Sequence, residues 1–488
     1  MSDESPSSRD SHRSGEASAE AGKNFSGTDL SAGDTRLSVV EKVGYGLGDT
    51  ASNFYWKLFE NFQLYFYTDV FGISAAAAAT MFFVTKLWDA INDPLIGFMA
   101  DRTQTAWGRF RPYLVWGSLP FAVTGILTFY TPDLGPTGKL IYAYITYTLV
   151  FTAYTFVNIP YGALMGVISS NSIERTSVST YRFVMAFLGG LIVQKFTEPL
   201  VEYFGKGDLQ VGFFWTVACY AITAMFLFLI TFALTRERVQ PQQKSATHLW
   251  KDVEDLFCNR PWVVLMVIGL FQILAGWTRG SAIAYYFTYY VGSTFGDFLA
   301  YGTIASIAGM LTTKYLAAWL GKCRLMIVLN LLVALLMSLF YFFGPEQVFA
   351  MYALHMTIAF ISGPIPVLLF SMYADAADFG EWKNGRRATG LVFSAATFSQ
   401  KLGGAFGSAL PGLTLALCQF QAPIEGVRQT QSATAIQGII LMMSLIPAGL
   451  TLLGTLALLF YNLKDSMLVE IETELKTRKQ SPPPESND

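Results

Sequence analysis

Histidine, cysteine and charge are all scarce in this sequence. Its three histidines, His12, His248 and His355, stand far apart and form no HExxH pair, which excludes a catalytic metal centre built on imidazoles. Its four cysteines, Cys219, Cys258, Cys323 and Cys418, show no CxxC spacing, so neither a zinc site nor a disulfide framework is indicated and they read as packing residues. Charged residues make up 14% of the chain, against about a quarter in ordinary soluble proteins. The formal charge of −2 leaves no basic field, and nucleic acid is set aside as a partner. The first 37 residues, rich in Ser, Gly, Asp and Glu, lack the apolar run of a secretory signal and read as a disordered tail.

Apolar residues fill the space left by these absences, at 52% of the 488. Runs long enough to cross a hydrocarbon layer of roughly 30 Å fall near 42–70, 73–100, 112–131, 138–168, 175–203, 211–234, 262–292, 297–320, 324–344, 347–374, 389–418 and 434–461. The expected fold is therefore all-α and polytopic, with twelve transmembrane helices. The longest polar break, 235–261, separates an N-terminal six-helix bundle (42–234) from a C-terminal one (262–461), and 465–488 forms a C-terminal tail ending in the proline-rich stretch around Pro482. Leu188-Gly189-Gly190 and Leu402-Gly403-Gly404 are placed alike in the two bundles, although glycine pairs are common wherever membrane helices touch.

Positive residues set the orientation, because short loops rich in Lys and Arg stay cytoplasmic. Arg102, Arg109 and Arg111, then Lys322 and Arg324, then Lys383, Arg386 and Arg387 all fall on one side. The linker and both termini are expected there, in a multi-pass protein of the cell membrane. Within the linker, Leu249, Trp250, Val253, Leu256 and Phe257 recur at helical spacing, as in a helix lying on an apolar surface. Paired six-span halves with helices broken by Gly and Pro are the pattern of a carrier with a midplane site.

The informative residues are charges inside apolar runs. Asp89 and Asp93 lie one turn apart in Trp88-Asp89-Ala90-Ile91-Asn92-Asp93-Pro94. Each acid at mid-membrane costs roughly 2.5–3.5 kcal/mol, and two together repel unless a cation or shared proton intervenes. With the Asn92 amide they make an oxygen-rich cation site; the alternative is a structural ion pair with Lys86 and Lys401. Lys401, deep in the eleventh run, needs an anionic partner, and Asp89 or Asp93 is the candidate. Arg182 and Arg279 each suit either hydroxyl and carboxylate contact or interhelical pairing. Asp49, Asn53, Lys57 and Glu60 form a polar stripe that must face a wet cavity, with Lys57 and Glu60 able to pair. Asn158, before Ile159-Pro160, offers a donor and an acceptor. Tyr55, Trp56, Tyr161 and Trp277 can stack on a sugar face or pack between helices.

Four segments carry a family resemblance: Tyr65-Phe66-Tyr67-Thr68-Asp69-Val70, the Trp88–Pro94 segment, Trp107-Gly108-Arg109-Phe110-Arg111-Pro112, and Ala374-Asp375-Ala376-Ala377-Asp378-Phe379-Gly380-Glu381-Trp382. Over roughly 42–465 the chain resembles the glycoside-pentoside-hexuronide cation symporters of the major facilitator superfamily, the family of the melibiose permease. The resemblance implies a cation site of Asp89, Asn92, Asp93 and Thr155 with Lys401 as coupling residue, and a sugar cavity that includes Arg182 and Thr397. The sequence departs from the permease at Asn53 and Asn158, which replace aspartates, and at Gly162 and Pro366, which replace tryptophans.

The function expected is symport of a sugar, glycoside, pentoside or hexuronide with Na+ or H+. Asp49, Asn53, Asn158, Arg182, Thr397 and Arg279 are the candidate substrate contacts, and Asp89 and Asp93 would ligate Na+ if sodium is used. Lys57 and Arg279 make the cavity less negative, which suits a hexuronide; Asp49 keeps neutral sugars open. No cofactor is implied, the surrounding partner is membrane lipid, and the chain is expected to work as a monomer. The alternatives are a sodium-dependent lysolipid transporter of the same fold and a membrane sensor or scaffold without transport. No nucleophile and base converge as an enzyme would require.

Overall fold

A computed structural model describes residues 36–169, 172–239, 257–384, 389–423, 428–463 and 465–480. Helices joined by loops make up the described residues, which contain no strand and one isolated bridge, between Thr105 and Gly108. In chain order the long helical segments are α1 (Val39–Asn61, continued through Phe71), α2 (Ala75–Arg102), α3 (Arg111–Thr128), α4 (Pro136–Val167), α5 (Ser172–Gly205), α6 (Leu209–Leu234), α7 (Arg260–Tyr285, continued through Val291), α8 (Gly296–Leu320), α9 (Lys322–Leu339), α10 (Val348–Ser362 and Pro364–Asn384), α11 (Thr389–Leu417) and α12 (Ala433–Met443 and Leu445–Ala457). A further helix, α13 (Asp465–Gln480), follows.

Seven helical stretches among the described residues are long and apolar enough to cross a membrane by length and composition. The all-helical polytopic fold is met, while fewer stretches than the expected twelve are apolar enough to count as spans. α1, α2 and α11 fall short because they carry the intramembrane charges and amides, and α3 and α8 because Gly, Pro, Ser and Thr dilute them. Helices that line a polar cavity need no lipid-compatible face all round.

Packing repeats under a shift of six helices. α1 packs on α5 and α6 as α7 packs on α11 and α12; α3 packs on α4 and α6 as α9 packs on α10 and α12. Contacts between the halves follow the same rule, with α2 against α11 mirrored by α8 against α5, and α1 against its counterpart α7. Local structure repeats too. α1 and α7 each pass into a six-residue π-helical segment, Phe66–Phe71 and Tyr286–Val291, and each ends on a left-handed glycine, Gly72 at φ 85° and Gly292 at φ 77°. Tyr65-Phe66-Tyr67-Thr68-Asp69-Val70-Phe71-Gly72 and Tyr285-Tyr286-Phe287-Thr288-Tyr289-Tyr290-Val291-Gly292 are thus one motif written twice, a clearer trace of duplication than the glycine pairs.

At the end of the fold bearing the described start of the chain, carboxylates tie loops to helices. Glu237 accepts from three successive backbone N–H groups, those of Arg109, Phe110 and Arg111, at 2.7–2.9 Å. Glu41 is held by both arms of Arg238 at 2.6 and 2.8 Å. Leu37 is buried and its N–H donates to Glu174, so the folded chain begins before the expected tail boundary. The C-terminal tail is also shorter than expected, because α13 seats Ile471 and Leu475 beside Phe379 and Trp382 of α10. The expected amphipathic segment 249–257 lies outside the described residues apart from Phe257, which is exposed, and so do Arg386 and Arg387. Cys219 and Cys258 are exposed rather than packed.

Replacing Glu237 with Ala leaves three amide donors at a loop end without their acceptor. The loss expected is about 1–3 kcal/mol, read as earlier unfolding of the purified protein in detergent.

Candidate functional site

A cavity of about 610 Å³ lies between the halves, bounded by α1, α2, α4, α5, α7, α8 and α11. Most of the sequence-derived candidates meet there: Asp49 and Asn53 from α1, Asp89 and Asp93 from α2, Thr155 and Asn158 from α4, Arg182 from α5 and Lys401 from α11 all line it. The helical repeat explains the convergence on α2, since Asp89 and Asp93 are one turn apart and point the same way.

Charge pairing organises this cavity. Lys401 forms an ion pair with Asp93 and reaches Asp89 at 3.5 Å. The other Asp89 oxygen accepts from the Thr155 hydroxyl at 2.7 Å. One ammonium on α11 therefore neutralises the repulsion between two carboxylates on α2, and does so across the boundary between the halves. Asn92 is buried on the same helix but does not line the cavity. The donors available to a cation are two carboxylates and a threonine hydroxyl, which suit a hard ion or a proton. No cluster of three or more His, Cys, Asp or Glu side chains fit to hold a metal occurs among the described residues.

The remaining cavity charges, Lys86 apart, are balanced in pairs. Asp49 pairs with Arg182 at 3.1 Å and Glu60 with Lys57 at 2.6 Å. Lys86, one turn before Asp89, is caged by rings instead of joining the acids: its Nζ sits 3.8 Å from the Phe151 ring centre, with Trp277 at 5.5 Å and Trp56 at 5.8 Å. Such a cage stabilises a desolvated ammonium by about 2 kcal/mol. Hydroxyl-reading groups lie nearby, with the Asn158 amide donating to Tyr154 at 3.1 Å and the Asn53 amide to the Asp49 carbonyl at 2.9 Å.

One expectation, for Arg279, is corrected, and the open choice for the aromatic residues is decided. Arg279 does not line the cavity, because it lies two residues beyond the cavity-facing Trp277 and two residues turn a helix by about 200°. It is buried instead against His355, at 3.2 Å. Tyr161 stacks on Tyr45 at 4.7 Å with reciprocal hydroxyl-to-carbonyl bonds, and Tyr55 packs on Phe121 at 4.1 Å, so neither is offered to a ligand. Trp56 and Trp277 do face the cavity and meet edge-to-face at 5.3 Å. Thr397 falls within α11, but its side chain is outside the described set.

A polar seam closes the end of the cavity remote from the chain's described start. The two π-segments meet in it: Thr68 and Tyr285 share a hydrogen bond at 2.6 Å, and the Tyr289 hydroxyl donates to Asp69. Arg428 donates to the Tyr65 hydroxyl at 3.2 Å, Glu198 accepts from the Phe295 N–H at 2.9 Å, and Lys195 pairs with Asp297. Sequence reading singled out the first π-segment as a motif but missed its partner; the same eight-residue pattern 220 residues on was the available signal.

Comparison with known proteins fits this arrangement. The family described as MFS/sugar transport protein matches residues 44–465. The inner membrane symporter YicJ of Escherichia coli (strain K12) is 38% identical over 451 residues, covering 91% of this chain and 96% of that one. The isoprimeverose transporter of Lactiplantibacillus pentosus is 35% identical over 445 residues, covering 88% and 91%. Among solved structures, a D-xylose-proton symporter superposes with a TM-score of 0.58 at 14% identity, covering 87% of this chain and 96% of that one, a likeness of fold.

Lys401→Met leaves Asp89 and Asp93 facing each other without their ammonium. The variant is expected to lose on the order of 3 kcal/mol of stability and to recover more than the native protein does when the coupling cation is added or the pH lowered. Melting curves against Na+ and against pH check this.

Proposed function

We propose that this chain, which belongs to the MFS/sugar transport protein family and within it to the glycoside-pentoside-hexuronide cation symporters, carries a neutral sugar or glycoside across the cell membrane together with Na+ or H+. The observation that carries the reading is the α2–α11 ion cluster. Its two carboxylates sit together on α2, and the ammonium that holds them comes from α11 in the other half.

The mechanism follows from charge. A cation reaching Asp89 and Asp93 supplies the positive charge that Lys401 otherwise provides, which loosens the link between α2 and α11. Thr155 then serves as a neutral oxygen ligand beside the carboxylates. Sugar hydroxyls bind to Asn53, Asn158 and the Asp49–Arg182 pair, while Trp56 and Trp277 offer faces to the ring. With sugar bound but no cation, Lys401 still ties α2 to α11, so that half-loaded form is held back and the solutes move together. The two six-helix halves rock around this site, and the polar seam between the π-segments is the closed gate of the present state. Both termini and the 235–261 linker lie on the cytoplasmic side, so that seam faces outward.

The balance of cavity charges favours a neutral substrate over a hexuronide. With Lys57 paired to Glu60 and Arg279 outside the cavity, neither of the two cations that suggested an acidic sugar is free to meet one there. Pentosides and glycosides fit this lining. A lysolipid would set its acyl chain against the acids, bases and amides that share the cavity wall with Ile159, Phe183, Phe187 and Ile273. Single chains are taken as the transporting unit.

In vesicles, neutral xylosides or galactosides are expected to be taken up with cation stimulation, and glucuronide not; preferential uptake of glucuronide overturns the neutral assignment. Asp93→Cys is expected to retain some sugar binding while losing the cation's enhancement of affinity, which for coupling of 1–3 kcal/mol is about 5–150-fold. Titration of sugar binding with and without cation checks it. Tyr289→Phe removes one bond of the seam and is expected to raise the share of molecules open at that end, read as longer spin-label distances between the ends of α1 and α7.

A further inference from the structure

Arg279 is a buried cation that the transport reading leaves unused. It is 7% exposed, within a stretch of α7 that is buried on every side from Trp277 to Phe287. Its Nη1 is 3.2 Å from His355 Nδ1, and its guanidinium carbon is 5.1 Å from the centre of the Phe340 ring. Its Nε and Nη2 have no hydrogen-bond acceptor among the described residues. No carboxylate among the described residues forms an ion pair with it, although other intramembrane cations in this fold, Arg182 and Lys401, do have one.

His355 is held so that it serves Arg279 as a neutral acceptor. Its ring stacks flat on Phe298 at 3.9 Å, with 9° between the planes, and its Nε2 abuts α8 at Gly302, where a Cβ would stand 2.2 Å away. Only a glycine at 302 admits the imidazole at this depth. Tyr286, two helical turns beyond Arg279 on the same face of α7, is fully buried, packs 6.3 Å from the same Phe340 ring, and has a hydroxyl with no partner among the described residues.

Arginine stays protonated in proteins, and an uncompensated buried charge costs several kcal/mol. The open Nε–Nη2 edge is the side of the guanidinium that grips an anion with two parallel N–H donors. The geometry points to a binding site for one small monovalent anion of chloride or formate size inside the second half, between α7, α8, α9 and α10. Arg279 supplies the charge and the fork, Tyr286 a third donor, and His355 fixes the guanidinium plane. The anion is resident rather than transported: the site is apart from the sugar cavity and its lining belongs to one half. Its role is to neutralise α7 next to the π-segment that meets α1.

The test uses purified full-length protein without sugar, at constant Na+ and constant ionic strength, with gluconate replaced stepwise by chloride or by formate. Chloride is expected to raise the melting temperature by a few degrees and to saturate at millimolar concentration, with half-saturation shifted to higher chloride in Tyr286→Phe. Arg279→Gln is expected to remove the saturable response. Saturation by formate alone assigns the site to a carboxylate; by both, to any small anion. Equal melting in gluconate, chloride and formate for the native protein overturns the proposal, as does a full saturable response in Arg279→Gln. Should the variants fail to fold, retention of radioactive chloride and of radioactive formate by the native protein in equilibrium dialysis decides, and retention of neither overturns it. Because sugar and transport are absent from every arm, the result is independent of the substrate assignment.

Discussion

A charge placed at membrane depth must find a partner, and in this protein the most consequential partnership is Lys401 with Asp93 and Asp89. α2 and α11 belong to different halves, so an ion cluster that is a local necessity for α2 becomes a link between the halves. Whatever competes with Lys401 for the carboxylates acts on that link directly. Thr155 holds the second Asp89 oxygen from α4, which keeps the carboxylate oriented when the ammonium moves.

The rest of the cavity answers to the same constraint. Asp49–Arg182 and Lys57–Glu60 close on themselves, and Lys86 is stabilised by ring faces. With its charges paired, the cavity recognises by hydroxyl-matched donors and aromatic faces. At the far end the halves meet through π-helical segments whose wider turns carry Thr68, Asp69 and Tyr289 into contact. π-turns are strained relative to the α-helix and concentrate at functional positions. Their occurrence at equivalent places in both halves follows from duplication of one sequence motif.

Much of the site was legible because intramembrane charge is rare and costly: Asp89, Asp93, Lys401, Asp49 and Arg182 were all found that way and all line the cavity. Arg279 was found by the same reasoning and is elsewhere, since rarity says that a charge needs a reason but not which side of its helix faces the reason. Tyr161 and Tyr55, left open between sugar stacking and helix packing, turn out to pack on other rings. An aromatic ring is equally at home on a sugar or on another ring, and the reciprocal Tyr45–Tyr161 bonds join residues 116 apart. The Glu237 clasp, which gives the Trp107–Pro112 motif an anchor, was invisible because its donors are backbone amides, which any residue carries.

The sequence by itself determined that this is a helical membrane protein, that two acids and a lysine lie deep in its apolar runs, and that its motifs are those of the cation symporters. The first two follow from hydropathy and local spacing, which depend on neighbours along the chain, and the third from a resemblance carried by four short segments. Only the tertiary structure decided which opposite charges meet, which half of each helix looks into the cavity, and which end is closed. Pairing across hundreds of residues depends on helix rotation and register, and those are settled by packing, where a turn of one residue moves a side chain by about 100°.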